Sequence, residues 1–165
     1  MQPSQLTILE FGNDARSVWA DVAILGPQLT VSADVAEKLL AQRPSLAEHT
    51  CKSAASTRDS ATSTREGPQL FKDHLPGALL PHALEHLAID LLVSALPGET
   101  FAGNTHWLER EDCTMQDTMQ DTMQGAMRVH ISLPKGGNAT LVYKALSEAL
   151  LLLNELLQES QRQIG

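Results

Sequence analysis

The chain has 165 residues and a formal net charge of −8 at pH 7, with 42% hydrophobic and 19% charged residues. This size and composition predict one globular domain over residues 1–165 with a hydrophobic core of its own. The acidic balance argues against a nucleic-acid-binding protein, which needs a basic surface for phosphates. An acidic surface does suit a cationic partner, which it attracts over long range.

Targeting and redox features are few. No apolar run reaches the roughly eighteen residues of a membrane span. The N-terminal MQPSQLTILEFG lacks a basic start followed by an apolar stretch, so we expect no signal peptide. Cys51 and Cys113 lie far apart and predict no disulfide framework. These features predict a cytoplasmic protein that contacts no membrane.

The first elements are predicted as a strand pair and a helix. LTILEF (6–11) and SVWADVAIL (17–25) predict strands, with the turn-forming GNDAR between them. One face of the second strand is apolar at Val18, Ala20, Val22 and Ile24. SADVAEKLLAQ (32–42) then predicts a helix with Ser32 as its N-cap.

Two flexible loops are predicted in the middle of the chain. Residues 52–73 are rich in Ser, Thr and Ala and lack an apolar period. Residues 112–126 contain the repeat TMQDTMQDTMQ and separate two predicted strands, 105–111 and 127–133. The last segment predicts a long amphipathic helix with the apolar face Leu141, Ala145, Leu146, Ala149, Leu150, Leu153 and Leu157.

The run LPHALEHLAIDLLVSAL predicts a further helix that begins near residue 80, with Pro81 in its first turn, and ends near 96–99. An apolar stripe runs along one side through Leu80, Leu84, Leu87 and Leu91. The element order predicts an α+β fold with two layers: an antiparallel four-stranded sheet and about three helices in a ββααββα-like order.

The opposite side of this helix carries a candidate site. His82 and His86 are four residues apart and Glu85 flanks them, so one face presents two imidazoles and a carboxylate. Ile89 and Val93 continue this face, which predicts a half-buried pocket. Zinc binds neutral imidazoles and activates water, and a nearby carboxylate can take the proton. His-x-x-Glu-His is the inverted form of the zinc-peptidase motif.

The same three residues are also compatible with an ordinary amphipathic helix whose polar side chains are satisfied by hydrogen bonds. The local motif supplies no third metal ligand. The donors available elsewhere in the chain are His49, Cys51, His106 and His130.

Several segments together resemble the N-terminal domain of cyanophycin synthetase, which builds a polyaspartate polymer with arginine on each side chain. The segments are PSLAEHTC (44–51), HALEHLAIDL (82–91), FAGNT (101–105) and the ending MRVHISL…ALSEALLLL. In the family the first reads roughly Pro-Ser-Leu-x-x-His-x-Cys and the second His-x-x-Glu-His-x-Ala. The resemblance covers about residues 5 to 155.

In this family the N-terminal domain is thought to bind the polymer, and in some members it carries a metallopeptidase-like site that cuts polymer chains into primers. The resemblance implies a Zn²⁺ site with these residues: metal ligands His82, His86 and Cys51, catalytic Glu85, and substrate-binding His49, Asn104 and His106. A thiolate is a reasonable third ligand, and His106 is the alternative. Alternatively, Cys51 is a small, buried apolar residue and not a metal ligand.

The departures from the family bear on function. A Gly-Arg-Thr-Arg-like family segment corresponds to residues 103–106, where both arginines are replaced. The ATP-grasp and Mur-ligase-like domains are absent from this sequence, so we expect a stand-alone domain that does not make the polymer. Two hypotheses follow: a zinc-dependent hydrolase acting on cyanophycin or a related arginine/aspartate polymer, or a non-catalytic module that binds polymer or docks onto a separately encoded ATP-dependent ligase.

Overall fold

A computed structural model describes residues 4–51, 69–108, 123–133 and 138–164. Its strands are β1 (Gln5–Asn13), β2 (Ser17–Leu25), β3 (Thr50–Cys51), β4 (Gln69–Leu70), β5 (Gly103–Trp107) and β6 (Met123–Ser132). Its α-helices are α1 (Ala33–Gln42), α2 (Phe71–His74), α3 (Leu80–Ala95) and α4 (Ala139–Ile164). A 3₁₀ helix covers Pro44–Glu48.

Four strands form an antiparallel sheet in the order β1–β2–β6–β5. Helices α3 and α4 pack against this sheet and against each other, and α1 packs on α4. The predicted two-layer α+β fold is therefore confirmed. The short pair β3–β4 and the one-turn helix α2 were not predicted.

The β1–β2 hairpin forms because Asp14 organises its turn. The Asp14 carboxylate accepts hydrogen bonds from the backbone N–H groups of Arg16 (2.7 Å) and Ser17 (2.9 Å). In β2 the predicted apolar face is fully buried at Val18, Ala20, Val22 and Ile24. This alternation places the core between the sheet and the helices.

The opposite face of the sheet holds a buried ion pair. The Asp21 carboxylate, 1% exposed, accepts two hydrogen bonds from the Arg128 guanidinium, at 2.6 and 2.9 Å. The guanidinium also lies 4.0 Å from the Trp19 ring centroid, a cation–π contact. Trp19 in turn lies over Gly12, where a Cβ would overlap its ring.

The predicted loops are shorter in the structure than in the sequence analysis. Residues 69–73 form β4 and most of α2, because the Phe71 side chain is fully buried and anchors this turn. Residues 123–126 belong to β6. The rest of both predicted loops, 52–68 and 112–122, lies outside the described residues.

Helix α1 begins as predicted, because the Ser32 hydroxyl accepts a hydrogen bond from the Val35 N–H at 3.2 Å. Helix α4 differs in its buried face: Leu141 and Leu150 are only half-buried, while Val142 and Leu156 are buried. The buried face of α4 is thus rotated slightly about the helix axis from the predicted one. Among the described residues, none of the helices has the length and apolar character needed to cross a membrane.

Helix α3 starts at Leu80, as predicted, and ends at Ala95, just before the predicted end near 96–99. Leu80, Leu84 and Leu87 are fully buried, and Leu91 is half-buried. The helix is buried on further sides at Ala83, Ala88 and Leu92. Its polar residues therefore lie close to a packed core rather than on a solvated face.

Replacing Leu84→Ala is expected to lower the free energy of unfolding by about 2–5 kcal/mol, because a fully buried side chain leaves a cavity. Leu151→Ala is the matched control, since Leu151 is 64% exposed on α4 and its loss is expected to change stability by less than about 0.5 kcal/mol. Urea denaturation measures both. Equal effects would contradict the described packing of α3.

Candidate metal-binding site

A cleft of about 670 Å³ opens beside α3. Its walls come from residues 45–50, from the polar side of α3 and from residues 99–105. Ile89 and Val93 line it together with His82, Glu85 and His86. The half-buried pocket expected from the Ile89/Val93 continuation is therefore present.

His82, Glu85 and His86 converge on the floor of this cleft. Each offers one ligand atom, and these atoms all lie within 4.8 Å of one another. Glu85 Oε1 is 3.9 Å from His82 Nδ1, and Glu85 Oε2 is 3.7 Å from His86 Nε2. The side chains are only 14%, 5% and 8% exposed, respectively. The helical spacing brings them together because residues three and four apart share a face.

Strand β5 fixes the position of the Glu85 carboxylate. The Thr105 hydroxyl donates a hydrogen bond of 2.6 Å to Glu85 Oε1. At Gly103 a Cβ would lie 2.7 Å from Glu85 Cδ, so only glycine lets the carboxylate approach the strand this closely. The Glu85 carboxylate is thus held between the Thr105 hydroxyl, which donates to it, and the backbone of Gly103, which has no side chain.

Burial controls the charge of all three groups. It lowers the pKa of His82 to about 4, with the nearby charge of His74 acting in the same direction. It lowers the pKa of His86 to about 3, with His82 and His49 adding to the effect. It raises the pKa of Glu85 to about 7, against the opposing hydrogen bond from Thr105. At neutral pH the imidazoles are therefore unprotonated, and Glu85 can take up or release a proton.

His86 is held by two further aromatic rings. Phe71 stacks on it with the ring centroids 3.9 Å apart and an angle of 18° between the planes. His49 Nδ1 lies 3.2 Å from His86 Nδ1, a hydrogen-bonding distance. The other ring nitrogen of His49, Nε2, lies 3.1 Å from Asp90 Oδ1.

Asp90 is a polar residue of this site that the sequence analysis missed. Its side chain is 3% exposed, and its Oδ2 accepts hydrogen bonds from Arg43 Nε (2.8 Å) and from the Ser45 hydroxyl (2.9 Å). A second guanidinium nitrogen of Arg43 lies 2.7 Å from the same oxygen. Asp90 follows His86 by four residues, so the helical period could have identified it. Arg43 carries no comparable local signal.

The remaining predicted site residues have different positions. His49 and Asn104 line the cleft. The Cys51 backbone lies in β3, and its side chain is outside the described residues. His106 follows Thr105, which faces Glu85, so its side chain points to the other face of the sheet and stacks on His130 at 5.4 Å. The structure does not bring His106 or His130 to the cluster.

No family model, curated protein or solved structure matches the chain. These comparisons therefore assign no function to the site. Two neutral imidazoles beside an open cleft fit two of the three protein ligands of a catalytic zinc site, and the adjacent carboxylate can act as a ligand or as a base for bound water.

Glu85→Gln is expected to change stability in a pH-dependent way. The pKa of Glu85 is raised from 4.5 to about 7 on folding, so wild type loses stability as the pH rises through this window. Glutamine stays neutral and keeps the oxygen that accepts from Thr105. In metal-free protein we expect the variant to be more stable than wild type by on the order of 2–3 kcal/mol at pH 8, with little difference at pH 5.

Urea denaturation at the two pH values measures this difference. The control is Glu148→Gln, which makes the same substitution at a side chain that is 53% exposed on α4. A Glu85→Gln effect of equal size at pH 5 and pH 8 would contradict the buried, proton-binding carboxylate.

Proposed function

We propose that this protein is a zinc-dependent amide hydrolase that acts on a peptide polymer, cyanophycin or a related arginine- and aspartate-containing chain. The observation that carries the proposal is the convergence of His82, Glu85 and His86 within 4.8 Å on the floor of an open cleft. The resemblance of the surrounding segments to the N-terminal domain of cyanophycin synthetase supports the same chemistry and supplies the substrate class.

The proposed metal ligands are His82 and His86, whose lowered pKa values keep both rings unprotonated at neutral pH. Cys51 remains the proposed third ligand. It lies two residues after His49, and contact between His49 and His86 brings this part of the chain to the site. A bound zinc ion would lower the pKa of a coordinated water towards about 7 and polarise the substrate carbonyl.

Glu85 is the proposed general base. Thr105 occupies its Oε1, so Oε2 is the oxygen available to take a proton from the attacking water. The pKa of about 7 suits a group that accepts this proton and then passes it to the leaving amine. Gly103 contributes by leaving room for the carboxylate at the strand.

The cleft walls favour a cationic substrate. Glu48 and Glu99 line the cleft, and its described lining residues include no lysine or arginine. A guanidinium side chain would therefore meet carboxylates there rather than like charges. His49 and Asn104 are the proposed substrate-binding residues on these walls. Asn104 would contribute its backbone, because the alternation of β5 directs its side chain, like that of His106, to the other face of the sheet.

The alternative function is a non-catalytic module that binds the polymer or a separately encoded ligase. One observation favours it: His86 and Glu85 already have hydrogen-bonding partners within the protein, in His49 and Thr105. The two functions differ in whether the cluster holds a metal and in whether the polymer is cut.

His86→Ala is expected to abolish stoichiometric zinc binding, because it removes one of two imidazole ligands. His106→Ala is the matched control, since this histidine is exposed on the opposite face of the sheet and should leave zinc binding unchanged. Elemental analysis of protein purified without chelator, and zinc titration of the stripped protein, measure the effect. Wild type that binds no zinc would contradict the hydrolase proposal and leave the binding module.

Glu85→Gln is expected to retain zinc but to lose at least about 100-fold of the hydrolytic rate, because the general base is gone. Gly103→Ala is expected to lower the rate as well, since its Cβ would displace the Glu85 carboxylate. Release of new amino termini from cyanophycin, followed by mass spectrometry, measures cleavage. Full activity in Glu85→Gln would exclude Glu85 as the base.

A further inference from the structure

A chain of hydrogen bonds runs from the segment at 43–45, beside α3, to the candidate metal ligand. It begins at Arg43 and Ser45, which both donate to Asp90 Oδ2. Asp90 Oδ1 contacts His49 Nε2 at 3.1 Å, and His49 Nδ1 contacts His86 Nδ1 at 3.2 Å. The last nitrogen of the chain, His86 Nε2, faces Glu85 Oε2 at 3.7 Å.

The direction of these hydrogen bonds follows from the chemistry of the two ends. A carboxylate only accepts, so His49 Nε2 must carry the proton that is donated to Asp90. In the neutral form of an imidazole only one nitrogen carries a proton, so the Nδ1 of neutral His49 is bare. That lone pair can only accept, so the proton between the two histidines belongs to His86 Nδ1. A neutral His86 then has a bare Nε2 directed at the cluster.

We propose that Asp90, acting through His49, fixes the tautomer of His86 so that its Nε2 lone pair faces His82 and Glu85. Asp90 and His49 are thus positioning residues, and neither needs to touch the metal. Histidine ligands commonly donate their second N–H to a partner that sets the tautomer. Here a second histidine lies between that carboxylate and the ligand. The consequence for zinc rests on the proposed function, whereas the tautomer itself does not.

Asp90→Asn is the most informative variant because the site dictates how the amide must turn. Arg43 and Ser45 donate to one side of residue 90, so the amide oxygen should remain there. The NH₂ group would then face His49 Nε2 and donate to it. This reverses both histidines: His49 becomes protonated at Nδ1 and donates to His86 Nδ1, and the proton of His86 moves to Nε2. The analogous substitution in a Ser-His-Asp triad likewise keeps the geometry and inverts the tautomer.

The test is nitrogen-15 NMR of the histidine side chains in the zinc-stripped protein at pH 8, where protonated and bare ring nitrogens are well separated. In wild type we expect a protonated Nδ1 and a bare Nε2 on His86, with the opposite pattern on His49. Asp90→Asn should exchange both patterns and weaken zinc binding by roughly 10- to 100-fold. In zinc-loaded wild type, the metal should change the nitrogen-15 chemical shift of His86 Nε2. His49 should keep its proton on Nε2 and its bare Nδ1.

Two further variants keep the result interpretable. Asp21→Asn is the matched control, because Asp21 is another buried carboxylate held by an arginine but lies across the sheet; both the tautomers and the zinc affinity should stay unchanged. His49→Gln removes the intermediate ring without altering the Arg43–Asp90 pair. Its effect on zinc affinity should not add to that of Asp90→Asn, since the two act through one chain.

Three results would overturn the proposal: a proton on His86 Nε2 in wild type, an unchanged pattern in folded Asp90→Asn, or a zinc-bound His49 Nδ1. If Asp90→Asn does not fold, the wild-type pattern and the His49→Gln zinc titration still decide. Wild type with the expected tautomers but no affinity for zinc would refute the proposed hydrolase and support the hydrogen-bond chain on its own.

Discussion

The burial of α3 is the constraint on which the rest of the site depends. Its leucines pack into the core, and the helix remains shielded on the side that carries Glu85, His86 and Asp90. Polar groups removed from water in this way need partners inside the protein. Each of the three has a hydrogen-bonding partner outside the helix. These partners lie in the segment at 43–49 and in strand β5, and they tie both to α3. The same burial gives the imidazoles and the carboxylate their unusual proton affinities.

Local patterns carried much of the fold and the centre of the site. The alternation in β2, the Ser32 cap and the spacing of His82, Glu85 and His86 depend on neighbours a few residues away, so the sequence alone predicts them. The pairing of Arg43 with Asp90 joins residues 47 positions apart, and no local period signals it. The burial of Phe71 was missed for a related reason. Its neighbours in the sequence are mostly polar, and only the tertiary structure shows that its ring packs on His86.

The contacts around His86 leave its ring little freedom. Phe71 covers one face of the ring, His49 holds Nδ1, and Nε2 is directed at the carboxylate of Glu85. The ring plane and its rotation about the side chain are therefore set before any ligand arrives. Such preorganisation reduces the ordering cost of binding, and it serves a metal site and a polymer-binding site alike.

The pairing of β3 with β4 has a consequence for the two aromatic residues that support His86. Cys51 is the register partner of Gln69, so two residues that are 18 positions apart in the sequence lie side by side. His49 and Phe71 stand just outside this junction, one on either side, and the backbone N–H of Phe71 donates to the His49 carbonyl at 2.8 Å. The two aromatic supports of His86 are thereby joined to each other through the backbone, independently of the sequence distance between them.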